Sequence, residues 1–118
     1  MNADVLRLAQ RAIARAKLEP GDNVYVEGDT PLAAAIRSEL EGMGGLRLMG
    51  EEALDASRAE EDRPNAVFIA QGCADALQRA AQAITPAGRI IIAAAETAAQ
   101  AYNVLAASHR ELLIEGVG

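Results

Sequence analysis

Apolar residues recur along this chain in two alternating rhythms, one helical and one strand-like. Val5, Leu8, Ala9, Ala12 and Ala16 share one helical face, which predicts a leading helix over residues 3–18. Glu19-Pro20-Gly21-Asp22 breaks it. Val24, Tyr25 and Val26 are strand formers, Thr30 is a good N-cap, and Pro31 suits the first helical position. Leu32, Ala35, Ile36, Leu40 and Met43 then form the buried stripe of a second helix, which Gly42, Gly44 and Gly45 end. A short strand over 46–49 follows. Residues 51–61 predict an acidic helix, loosely packed because Ala53, Leu54 and Ala56 make no long apolar face.

The second half repeats the same grammar. AVFIA, residues 66–70, is apolar at successive positions, as a central strand covered on both faces must be. A turn over 71–75 leads into a helix presenting Leu77, Ala80, Ala81 and Ile84, stopped by Thr85-Pro86-Ala87-Gly88. Residues 89–94 form a second buried strand. A helix over 96–108, with Ala98, Ala101, Tyr102 and Leu105 inward, precedes a last strand at 112–114. Five strands separated by helices demand parallel pairing, right-handed crossovers and helices on both faces. The expectation is one Rossmann-like α/β domain over residues 1–118, in three layers, α/β/α. Residues 1–20 supply an extra helix and turn, and 21–118 the α/β core.

Composition narrows the function more than the fold. At 118 residues the chain is one domain, and 51% hydrophobic with 24% charged residues describes an ordered globular protein. Alanine dominates, with one Phe and no Trp, so the core is layers of small aliphatic side chains. A net charge of −6 argues against sequence-independent nucleic-acid binding, which needs a basic surface. Arg7, Arg11 and Arg15 recur every four residues and read as a solvated helix face. The single cysteine, Cys73, leaves no internal disulfide and fits a reducing compartment. No apolar run reaches the roughly 20 residues of a membrane span. The N-terminus lacks a secretory apolar core. A cytoplasmic protein is expected.

Longer stretches carry two resemblances. LEPGD, GLRLMGEEAL, PNAVFIAQG, and TPAGRIIIAA through AYNVL to ELLIEGV resemble the class I S-adenosylmethionine-dependent methyltransferases. Within that class they are most similar to the decarboxylating precorrin methyltransferases of cobalamin biosynthesis. The resemblance implies S-adenosylmethionine as cofactor, with Glu27 matching the acid that holds its ribose. The family's glycine-rich loop is absent, since no GxGxG occurs, and NVYVEGDTPL aligns with the family's second strand and helix. One strand–helix unit is therefore missing. The chain also resembles the receiver domains of response regulators. There Glu27 and Asp29 match the acidic pair, but Ala70, Ala94 and Glu115 stand at the phosphoacceptor, hydroxyl and lysine positions.

Both resemblances imply the same sheet. Methyltransferase order 3-2-1-4-5-7-6, without its first unit and final strand, renumbers to 2-1-3-4-5, the flavodoxin and receiver order. Its switch point, between the first and third strands, predicts a pocket lined by Glu27, Gly28, Asp29 and Thr30, and by Gln71, Gly72, Cys73 and Ala74. Glu27 and Asp29 are oxygen ligands of the type divalent cations take, although Asp29 or Thr30 serves first as a helix cap. Cys73 precedes a helix, but His109, the sole histidine, lies towards the opposite sheet edge, so no cysteine–histidine nucleophile is expected. No metal-ligand cluster or catalytic motif appears. The expected function is a degenerate methyltransferase-like binding or assembly module, associating with itself or a protein partner. The alternatives are an active precorrin-type methyltransferase and a phosphorylation-incompetent pseudo-receiver.

Overall fold

The computed structural model describes residues 3–55, 57–70, 74–85, 88–92 and 113–116. Helix α1 spans Ala3–Ala16, strand β1 Asn23–Glu27, helix α2 Pro31–Met43 and strand β2 Arg47–Leu48. Two short 3-10 turns, Glu51–Leu54 and Glu60–Asp62, precede β3 at Ala66–Ile69. Helix α3 spans Ala74–Ala83, β4 Arg89–Ile92 and β5 Leu113–Gly116. The described strands form one parallel sheet of order β2-β1-β3-β4-β5, the order expected.

Side chains alternate across the central strands and so divide the core in two. Val24, Val26, Ala66, Phe68, Ala70 and Ile91 face α1 and α2, where Ala9, Ala12, Ala16, Ala33, Ala35, Ile36 and Leu40 meet them. Tyr25, Val67, Ile69, Ile90 and Ile92 face the other way, onto Ala53, Leu54, Ala80, Ala81 and Ile84. Both faces are covered, which is why β3 reads as an unbroken apolar run. The chain order explains the layers. A right-handed crossover from β1 outward to β2 puts α2 on one face, and the return across β1 to β3 puts the following elements on the other. That leaves the α2 face half bare over β4, and the leading helix α1 fills it beside α2. Each large aliphatic or aromatic side chain fully buried this way contributes about 1.5–3 kcal/mol, so Phe68 and the isoleucines outweigh the many alanines. The alanines instead let the helices come close.

Three expectations need correction. The described residues of 51–61 do not form an α-helix. The short apolar stretch supports only one 3-10 turn, and Asp55 then turns extended, its carboxylate accepting from the Ser57 N–H and hydroxyl. The first turn is nonetheless packed, with Ala53 1% and Leu54 7% exposed against α3, while Ser57 and Ala59 beyond it are exposed. Met43 is 52% exposed, because α2 has by then run past the sheet, and Ala33 is buried in its stead. Strand bounds also shift, with β2 reduced to two residues and the last strand moved to Leu113–Gly116. The helix expected over 96–108, with Tyr102 and Leu105, lies outside the described residues, as do Cys73, Ala94 and His109.

Candidate functional site

The site follows from the ladder along β1. Successive carbonyls of a strand point to opposite neighbours. Towards β3, the carbonyls of Asn23 and Glu27 accept from the N–H groups of Asn65 (2.7 Å) and Ala70 (2.9 Å). Towards β2, those of Asp22 and Val24 accept from Arg47 (2.9 Å) and Met49 (2.8 Å). Beyond Met49 the chain leaves the sheet for the 3-10 turn, so on the β2 side the Val26 and Gly28 carbonyls have no strand beside them. Arg37 of α2 serves both, its Nη2 donating to the Val26 carbonyl at 3.0 Å and the Gly28 carbonyl at 2.8 Å.

A cleft of about 290 Å³ opens where β2 departs, lined by Tyr25, Val26, Glu27, Gly28, Asp29, Arg37, Met49 and Gly50. A second hollow of about 130 Å³ continues along the same edge, lined by Val24, Val26, Arg37, Glu41, Leu48 and Met49. The Tyr25 hydroxyl donates to Glu27 from two residues away on the same strand face. Gly28 has φ +129°, a conformation that strains any other residue, and it turns the chain from β1 towards α2.

Thr30 caps that helix as its residue type predicts. In an extended conformation, its Oγ1 accepts from the Ala33 N–H at 3.2 Å and donates to the Ala70 carbonyl at 3.3 Å. The second bond ties the β1 turn to the end of β3. At the far rim, the Glu52 carboxylate accepts from the Gly50 N–H at 3.1 Å. Backbone N–H groups, its own first and then that of Gly50, hold Glu52 below the usual carboxylate range.

Of the expected pocket residues, Glu27, Gly28 and Asp29 line this cleft. The cleft lies on the β1–β2 side, not over the β1–β3 switch point, because it opens where a short β2 leaves β1. Gln71, Gly72 and Cys73 lie outside the described residues. Arg37 escaped the sequence reading. Its one signal was being the single basic residue of α2, next to buried Ile36. Tyr25, Met49 and Gly50 carried none. Among the described residues, no group of three His, Cys, Asp or Glu could hold a metal ion. Among them too, no helix is long and apolar enough to cross a membrane.

The sequence matches no known protein-family model and no curated protein. The fold is similar to solved structures. One is 2R,3R-butanediol dehydrogenase from Bacillus subtilis, with a TM-score of 0.63 and 18% identity over 97% of this chain and 40% of that one. Another is an alcohol dehydrogenase superfamily protein from Novosphingobium aromaticivorans, with a TM-score of 0.60 and 15% identity over 97% and 41%. The chain thus spans about 40% of the length of each. The likeness is one of fold: a Rossmann-like domain.

Proposed function

We propose that this domain is a Rossmann-like binding or assembly module that does not perform methyl transfer or hydride transfer. Rossmann-like folds take a cofactor at the first strand–helix turn, where glycines at G-x-G-x-x-G spacing let its pyrophosphate approach the backbone. Set on Gly28, that spacing puts glycine first, Thr30 second and Ala33 third. The first and third suit the pattern, since alanine is tolerated third. The second does not. The observation that carries the proposal is the Thr30 hydroxyl bonded to Ala70 at 3.3 Å, in the space the second glycine leaves open. Glu27 and Asp29 beside the turn also repel a phosphate.

The precorrin-methyltransferase resemblance supports descent from a methyl-donor-binding enzyme, and the missing glycine-rich unit supports loss of its activity. The active-enzyme reading keeps one favourable observation: Glu27, half-buried in the cleft, is the acid that would hold an S-adenosylmethionine ribose. Calorimetry on the wild-type chain with S-adenosylmethionine, S-adenosylhomocysteine, NAD and NADP separates the two. No saturable heat is expected, and micromolar binding of any of the four would overturn the module reading. Sedimentation at several concentrations then tests assembly, for which a self-associating species is expected.

A further inference from the structure

The sheet ends at β2, and among the described residues no strand lies beyond it. The N–H groups of Arg47 and Met49 are bonded to β1, so the backbone N–H and carbonyl of Leu48 between them point away from the sheet. Such an edge is a template for another strand. Among the described residues, the large hydrophobic side chains left exposed are Met43, at 52%, and Leu48, at 38%. Both belong to this edge: Met43 ends the helix that leads into β2, and Leu48 lies on β2 itself. On the basis of the module reading above, we infer that β2 is a self-association edge. A second copy of this chain lays its own β2 antiparallel to this one, across a two-fold axis beside Leu48, and the two sheets become one.

Charge identifies the occupant as a second copy. Leu48, in register with Val24, lies on the α2 side of the sheet, and the hollow beside it is walled by Arg37 and Glu41 of α2. A two-fold axis between antiparallel β2 strands also sets the two α2 helices antiparallel. Arg37 of each copy then faces the Glu41 end of the other, so the surface is complementary to itself. The Nη2 bonds to the β1 carbonyls hold the guanidinium in place, and Nε and Nη1 keep further N–H donors for that exchange. Arg47, the charge on β2, lies on the opposite face beside Asp62 at 3.4 Å and does not oppose its twin there. So short a strand falls short of the roughly 1,200 Å² that a stable interface buries. Met43, Leu48 and the flank of α2 supply the rest, and the dimer depends on concentration.

Sedimentation of the whole chain at several concentrations tests this. Wild type is expected to pass from monomer to dimer as concentration rises. Leu48→Lys sets two like charges beside the axis and is expected to raise the dissociation constant about tenfold or more. Glu41→Lys, at an exposed position, breaks the exchanged pair and should act in the same direction. Arg7→Glu, exposed on α1, is expected to leave the constant unchanged. If Leu48→Lys does not fold, Glu41→Lys decides alone. A dimer that the edge variants leave intact, or one that Arg7→Glu weakens equally, overturns the inference. So does a wild type that stays monomeric, or one that grows past a dimer, because a two-fold edge pairing closes at two. Nucleotide binding beside an edge-dependent dimer overturns the module reading alone. A dimer indifferent to the edge variants, with nucleotides still ignored, overturns the β2 edge alone.

Discussion

At the N-terminal ends of the strands, buried polar side chains tie distant segments together. Asn23 donates through Nδ2 to the carbonyls of Glu61 (2.9 Å) and Arg63 (3.0 Å), while its N–H reaches Asn65 Oδ1 at 2.7 Å. Arg89 donates to the Lys17 carbonyl at the end of α1 (2.7 Å) and to Asp22 (2.8 Å), in an ion pair largely shielded from water. At the C-terminal ends, Thr30 and Arg37 do comparable joining from the surface, with longer bonds in the first case and an exposed guanidinium in the second. The first end locks the positions of α1, β1, β3 and β4. That leaves the second free to carry a glycine turn and an open cleft without unravelling the sheet.

Substitutions can break this contrast. The largest effect is expected at Gly88, beside the polar end. An added Cβ there would collide with Ile84 Cγ1 and lie 2.8 Å from the Thr85 carbonyl oxygen, and backbone cannot yield. Gly88→Ala should cost about 3 kcal/mol in chemical denaturation, at the upper end for overpacking. Asn23→Ala comes next, at about 2 kcal/mol, because it strands the Glu61 and Arg63 carbonyls in a part-buried place. Thr30→Ala, at the cleft end, should cost only about 1 kcal/mol, the ordinary value of a cap. Equal losses for Asn23→Ala and Thr30→Ala would erase the difference between the two ends. A Thr30→Ala loss well above the cap value would show that the bond to Ala70 adds stability beyond the cap.

Legibility in the sequence followed how local each feature is. Thr30 and Pro31 announce a helix start, and a helix begins there because the cap acts on its own next turn. AVFI and RIII announce two-sided burial because an unbroken apolar strand has no solvated alternative. The segment after β2 was misread because its 3-10 turn is held by α3, far along the chain, and not by its own periodicity. The cleft was half legible. Glu27, Gly28 and Asp29 belong to one turn and could be read together. Arg37, Met49 and Gly50 reach it from elsewhere.

The sequence by itself determined where the strands fall and that they pair in parallel, while the order β2-β1-β3-β4-β5 was implied by the two resemblances. Unbroken apolar strands joined by crossovers require parallel pairing with both faces covered. Only the tertiary structure decided where α1 docks, how soon β2 leaves β1, and which side chain meets the carbonyls it leaves behind. Those are long-range choices, set by which surfaces remain uncovered once the sheet has formed. No local pattern records that Arg37, and not a strand, completes the edge of β1.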